Sequence, residues 1–290
     1  MLWIAATLIA AAAQTGRNAA QSGLVTRLGT MGATGVRFLF GLPFALLFLA
    51  LVGLTMPLPR LTGLSLGFAA LGALAQMAAT AIMLVAMRQK GFAVATALIK
   101  TEPVILALAG ALILSEPLGA GRMAAICLAT LGVLVTSGLD LLRSTLVPVA
   151  TAIFAGGLFG LSAIGFRGAI LALPDGHFIA RATLILSISL AFQAALTAVW
   201  LMLTDRAALR GIIAAWRESL GAGFLGALAS QSWFVGFALT SAANVRTLAL
   251  IEVVFAWIIS GRMFHQRISP QQLAGMGLIV VGVGWLLLLA

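Results

Sequence analysis

Seven ionisable side chains fall inside otherwise apolar stretches of the sequence: Arg17, Arg37, Lys100, Arg167 and Arg181 are basic, and Glu102 and Glu252 are acidic. Where such stretches cross a bilayer, each charge costs about 2.5–3.5 kcal/mol to insert, so several in one chain must face a cavity or each other. Five cations against two carboxylates leave an excess of three positive charges, and that excess calls for an anion. A guanidinium can hold a carboxylate or phosphate through two parallel hydrogen bonds, which makes the arginines candidate ligands for an anionic or zwitterionic solute. Beside Arg17, the residues Gln14, Asn18 and Gln21 recur at i, i+4 and i+7 and share one helical stripe. A polar stripe of this kind lines a cavity or forms a hydrogen-bonded seam against another helix.

Glu102 and Glu252 each lie about nine residues into a span, which at about 1.5 Å per residue puts them near the bilayer midplane. A carboxyl at that depth can carry a proton, so proton coupling is open to both; a structural ion pair with Lys100 or Arg246 is the competing role. Pro103 lacks the N–H that would bond the Ile99 carbonyl, so a kink is expected beside Glu102, with the freed oxygen available to substrate or water. Gln76 and Thr80 share a helix face at i and i+4, and Gln231 and Trp233 lie on the corresponding later helix. All four are candidate cavity lining. Trp257, five residues beyond Glu252, is a further candidate wall, with a lipid-facing or core role as its alternative.

The elements that must position these groups follow from composition. Of 290 residues, 62% are hydrophobic and 8% charged, and the mean hydropathy is +1.16. A soluble domain carries roughly a quarter charged residues, so the bilayer is the expected solvent. Ala, Leu and Gly enrichment favours helices over a closed barrel, since backbone groups in lipid must bond internally. Charged, Pro and Gly clusters cut the chain into spans near 2–23, 31–52, 63–87, 93–114, 119–138, 147–171, 178–203, 219–240, 243–262 and 270–289. The one long connection, from Thr204 to Ser219, holds Asp205, Arg206, Arg210, Trp216, Arg217 and Glu218 and suits an amphipathic segment on the membrane surface. The N-terminus reads as the first span and not as a cleaved leader. The net charge of +10 is scattered singly, with no basic run to bind nucleic acid. Cys127 is expected as a small buried hydrophobe, and His177 and His265 as surface histidines, with no metal. Nucleophile elbows, phosphate loops and nucleotide fingerprints are absent, so no catalytic residue and no cofactor is assigned.

Laid on itself with a shift of 150, the chain matches Arg17 with Arg167, Leu98 with Leu248, Glu102 with Glu252 and Val104 with Val254. Ala124, Gly132 and Val133 meet Ala274, Gly282 and Val283. The repeats are 1–140 and 141–290. Five spans per half is an odd number, so the second half enters the membrane inverted, as in secondary transporters. Arg17, Arg37 and Lys100 then approach one face, and Arg167 and Arg181, with Arg246, the other. Arg37, Arg181 and Arg246 are accordingly candidate gate residues around a midplane site, with snorkelling as the plain alternative.

The segment Ala97-Leu-Ile-Lys-Thr-Glu102-Pro103-Val-Ile-Leu, followed by Ser115-Glu116-Pro117-Leu118 and by Leu131-Gly132-Val133-Leu134, resembles the fourth- and fifth-helix signature of EamA-type members of the drug/metabolite transporter superfamily. The second copy departs from it: Val253 follows Glu252, and Gln266 stands where Glu116 stands in the first. The resemblance implies an all-α integral membrane fold of ten helices, two inverted five-helix repeats around a central cavity lined by spans 1, 3, 4, 6, 8 and 9, and secondary transport, commonly export. It implies a multi-pass protein of the plasma membrane, the bacterial inner membrane, with both termini cytoplasmic. Loop charge argues the opposite orientation. Arg27, Arg88, Lys90, Arg143, Arg206, Arg210, Arg217, Arg262 and Arg267 follow odd-numbered spans, against Arg60, Arg122 and Arg246 on the other side.

The sequence therefore reads as a monomeric secondary transporter whose partners are a small-molecule substrate and the lipid bilayer. A small zwitterionic or anionic metabolite, amino acid-like, is the expected cargo. Phosphorylated or nucleotide-like solutes, and lipid handling as a flippase or scramblase, are the alternatives.

Overall fold

The computed structural model describes residues 1–90, 98–136, 146–254 and 269–289; within them the side chains of 18–19, 21–23, 25–27, 29–31, 33–34, 87–90 and 148 lie outside the description. Trp257, His265 and Gln266 lie outside the described residues, as do the side chains of Asn18 and Gln21. Eleven helices and no strand occur among the described residues: α1 Leu2–Leu39, α2 Gly41–Thr55, α3 Gly63–Lys90, α4 Glu102–Ile113, α5 Ala120–Thr136, α6 Leu146–Leu171, α7 Phe178–Thr204, α8 Arg206–Ala214, α9 Trp216–Leu239, α10 Ala242–Leu248 and α11 Pro270–Leu288. Among the described residues six stretches are long and apolar enough to cross a membrane: Gly35–Thr55, Gly63–Ala86, Val149–Leu171, Phe178–Thr204, Trp216–Leu239 and Pro270–Leu288. They fall on the second, third, sixth, seventh, eighth and tenth expected spans. The helices α4 and α5 are apolar but shorter. Leu54, Leu112, Leu203 and Leu288 are more than three-quarters exposed, which suits side chains meant for lipid.

Two compact units divide the chain, one of Met1–Ala73 with Gly165–Leu239, the other of Leu74–Ile164 with Thr240–Ala290. Each draws on both halves of the sequence. In the first unit, α1 packs against α9, α7 and α8 around Leu24, Val36, Leu201, Ile212, Ala215 and Ala222. α1 is helical from Leu2 to Leu39, yet Arg17 and Arg37 both approach Gly226 of α9, where a straight helix would hold them about 30 Å apart. The helix therefore turns back on itself between them, in the region where the first and second spans were expected to part. A further break at Phe40 follows from Pro43, which has no N–H for the Leu39 carbonyl and whose ring would collide with it.

In the second unit, α5 and α11 touch backbone to backbone. A Cβ on Gly132 would lie 2.6 Å from the Gly275 carbonyl oxygen and 2.7 Å from the Ile279 nitrogen. One on Gly282 would lie 2.9 Å from the Ala125 oxygen and 2.5 Å from the Ala129 nitrogen. Gly282, Gly275 and Ile279 stand 150 positions after Gly132, Ala125 and Ala129, so the contact maps onto itself under that shift. Cys127 is exposed on α5, which corrects the expectation of burial. The packed face of that helix runs through Ala125, Ala129, Gly132 and Val133, and Cys127 is off it.

Candidate functional site

The expected kink at Pro103 is a full interruption. Leu98 and Ile99 are helical, Lys100 and Thr101 form a turn, and α4 starts afresh at Glu102 with Pro103 in its first turn. The turn is held by Thr101 N–H to Leu98 O at 3.2 Å and Val104 N–H to Thr101 O at 3.2 Å. Span 9 is interrupted at the matching place without a proline. There α10 ends at Leu248, and Leu250, Glu252 and Val253 donate three residues back, to Thr247, Ala249 and Leu250. Both carboxylates thus sit where a helix restarts, and the free N–H groups of a first turn favour negative charge. The Ile99 carbonyl released by Pro103 faces α6: a Cβ on Gly156 would lie 2.9 Å from it. Gly160, one turn on, rests against Glu102 Cγ and Leu106. Gly156 and Gly160 thereby bring α6 close over the oxygen that was expected to stay open.

The charges pair across the two interruptions. Lys100 Nζ donates to Glu252 Oε1. Arg246 Nε stands 3.2 Å from Glu102 Oε1, a charge contact without an aligned hydrogen bond. Glu102 is buried, and Lys100, Arg246 and Glu252 are half-buried. Each glutamate of the repeat is therefore matched to a cation from the other half, two positive against two negative. Arg246, expected at a gate, belongs to this quartet. Ser241 caps α10, accepting the Asn244 N–H at 3.2 Å, and so fixes the start of the helix that carries Arg246. Gln76 and Thr80 are buried in the same unit, with the Thr80 hydroxyl bonded to the Gln76 carbonyl at 2.8 Å.

The first unit carries the other polar residues. Trp233 Nε1 donates to Gln14 Oε1 at 3.3 Å, and Gln231 Nε2 donates to Thr183 Oγ1 at 2.7 Å. Trp233 is buried and joined to the polar stripe of α1 by its indole N–H. The stems of Arg17 and Arg37 converge on Gly226, at 3.3 Å and 3.9 Å from where a Cβ would sit. Arg167 donates to the Phe237 carbonyl, near the end of α9. Arg181 donates to the Ile170 carbonyl through Nε at 3.0 Å and Nη2 at 2.7 Å, and to those of Leu171 at 3.3 Å and Leu173 at 3.2 Å.

Arg167 and Arg181 therefore find their negative partners in helix C-terminal carbonyls, which carry the negative end of the helix dipole. That corrects the inference that the cationic excess as a whole calls for an anion. The distinguishing signal is proximity to a helix end: Arg181 follows the α6 terminus by ten residues and folds back over it. His177, expected merely at the surface, caps α7, its Nδ1 accepting the Ile179 N–H at 3.4 Å. Arg181→Gln loses several charged hydrogen bonds at once and is expected to cost about 2 kcal/mol of stability, read as a lower unfolding temperature in detergent.

Residues 1–138 match the EamA-like transporter family, which is part of the drug/metabolite transporter superfamily. Over that stretch, a little under half of the chain, the sequence is similar to EamA-like transporters. The resemblance read from Glu102-Pro103 and Ser115-Glu116-Pro117 is thereby shown, and with the six apolar stretches it makes this an integral, multi-pass membrane protein. A crystal structure of a protein 17% identical in sequence superposes with a TM-score of 0.68 over 99% of both chains, which is a likeness of fold alone. No curated protein matches the sequence.

Proposed function

We propose that this EamA-like chain is a secondary transporter that exports a small zwitterionic or anionic metabolite, amino acid-like, by alternating access. The observation that carries the reading is the crossed pairing of Glu102 with Arg246 and of Glu252 with Lys100 at two interrupted helices. Interrupted helices with free backbone groups are the recurring form of transporter binding sites. A net-neutral quartet suits a zwitterion, whose carboxylate replaces a glutamate beside a cation while its ammonium replaces a cation beside a glutamate. No charge is left bare at any stage, which matters because an uncompensated buried charge is costly. Protonation of either glutamate would release its cation and provides a route to proton coupling.

The self-mapping contact of Gly132 and Gly282 supports two inverted five-helix repeats, 1–140 and 141–290, with ten spans in all. In this reading both termini are cytoplasmic, the chain works as a monomer in the bacterial inner membrane, and substrate meets Gln14, Arg17, Gln231 and Trp233 in the first unit and Gln76 and Thr80 in the second. Arg37 and Arg181 belong to its two gates. The convergence of Arg17 and Arg37 on Gly226 favours a second reading, a phosphorylated or nucleotide-like cargo, since two guanidinium groups suit a dianion.

Uptake into proteoliposomes of labelled amino acids, organic anions, sugar phosphates and cationic drugs, with and without a proton gradient, tests both. Saturable uptake of an amino acid or organic anion is expected. Arg17→Gln is expected to weaken its half-saturation by about tenfold, the loss of one charged hydrogen-bonding partner. Uptake of sugar phosphates alone would move the assignment to the second reading, and transport of cations alone would overturn both.

A further inference from the structure

The connection between α7 and α9 carries an arginine surface that transport does not use. In α8, Ile212 is fully buried and Leu209 partly so, against α1. A Cβ on Gly35 would lie 3.2 Å from Ile212 Cδ1, and one on Gly211 would lie 3.1 Å from Leu28 Cδ2, so the short helix is clamped at close range. On the opposite side Arg206, Arg210, Ile213, Trp216 and Arg217 are all exposed. Arg206, Arg210 and Ile213 follow one another at four and three residues and share one helical stripe. Ile213 is 62% exposed between cations, a pattern that suits neither water nor hydrocarbon alone but the boundary between them.

The arginines are placed and not committed. Arg206 Nε donates to the Met202 carbonyl at 2.9 Å and Arg210 Nε to the Arg206 carbonyl at 3.3 Å, which fixes the stems. Among the described residues none of Arg206, Arg210 and Arg217 forms an ion pair. Of the nearby carboxylates, Asp205 caps α8, accepting the Ala208 N–H at 2.9 Å, and Glu218 has a contact of its own. The Arg217 guanidinium lies 5.3 Å from the centre of the Trp216 ring, and Trp216 and Trp200 are both about half-exposed. Tryptophans at this exposure beside arginines mark the headgroup level of a bilayer.

We propose that α8 and the first turn of α9 bind the phosphate headgroup of an anionic phospholipid, with Arg206, Arg210 and Arg217 as its ligands and Ile213 and Trp216 against its glycerol and upper chains. Clamping of α8 onto α1 through Ile212 pre-sets the three cations, so the site holds anionic lipid in preference to the zwitterionic lipid around it.

Purified full-length protein reconstituted in vesicles containing brominated phosphatidylglycerol or brominated phosphatidylcholine tests this, with Trp216 quenching isolated by difference from Trp216→Phe. At equal mole fraction, quenching is expected to indicate at least about threefold enrichment of the anionic lipid, in line with the attraction of single basic residues to anionic surfaces. Arg206→Gln/Arg210→Gln/Arg217→Gln is expected to abolish the preference, and the corresponding Lys triple to keep it. Adding inorganic phosphate is expected to change nothing beyond what chloride of equal ionic strength does. Equal quenching by the two lipids in the wild-type protein would overturn the proposal, whatever the variants do. A preference that survives in the Gln triple, or that phosphate specifically removes, would overturn it as well.

Discussion

Glu252→Gln is expected to lower the unfolding temperature sharply and to abolish transport, while Lys100→Gln/Glu252→Gln regains most of the stability and none of the transport. The single change leaves Lys100 half-buried without its carboxylate. Removing one partner of a buried pair costs about 3–5 kcal/mol, chiefly through the charge left behind, whereas removing both can be nearly neutral. Glu102→Gln is expected to act likewise through Arg246, its partner at 3.2 Å. Unfolding followed by size-exclusion chromatography after heating, together with uptake into proteoliposomes, separates the two effects. A double variant that transports like the wild type would reduce the quartet to a structural pair.

The second large effect is steric. Gly132→Leu and Gly282→Leu are each expected to abolish monodisperse protein, because the new side chain would start within 2.7 Å of facing backbone that cannot yield. Overpacking of this kind typically costs about 1–3 kcal/mol even where flexible side chains absorb it, and here the obstacle is main chain. Gly277→Leu and Gly284→Leu are the controls: both lie on α11, nothing stands within 4 Å of either, and both variants are expected to purify normally. The two damaging variants should fail to a similar degree, since their contacts correspond under the 150-residue shift. A marked difference between them would count against the pseudo-twofold relation of α5 and α11.

Lipid handling and transport are linked by the same accounting of charge. A bilayer gives an uncompensated cation no solvent, so a basic residue takes a carboxylate, a helix end, the headgroup layer or, as proposed for Arg17, an anionic group of the cargo. Lys100 and Arg246 take carboxylates, Arg167 and Arg181 take helix ends, and Arg206, Arg210 and Arg217 are assigned to headgroups.

Much of this was legible without coordinates. Apolar runs of bilayer length separated by charges dictate membrane helices, because lipid leaves the backbone no other partner for its N–H and C=O groups. Pro103 dictates a kink in span 4, since a missing N–H is a local covalent fact, though not that the helix stops and restarts there. An amphipathic segment was legible in the mixture of Asp, Arg, Trp and Glu between Thr204 and Ser219, but not that its helix is clamped onto α1 through Ile212. The family, too, was legible in the short runs around Glu102 and Glu116.

Other features were decided only by tertiary structure. Nothing in residues 247–252 breaks a helix by composition, yet span 9 is interrupted there, and Lys100, 152 positions away, holds the carboxylate that follows the break. The sequence could offer Glu102 both Lys100 and Arg246 as partners but could not choose, because ion-pair choice depends on distances across the unit and not along the chain. Nor could it separate arginines that seek an anion from those that fold back onto helix carbonyls, as Arg181 does. Gly132 and Gly282 were visible as a matched pair, but that they lie against each other's helix, backbone on backbone, is a property of packing. Local chemistry fixes where a helix can run or break; which charge meets which is settled when distant segments are brought to within a few ångströms.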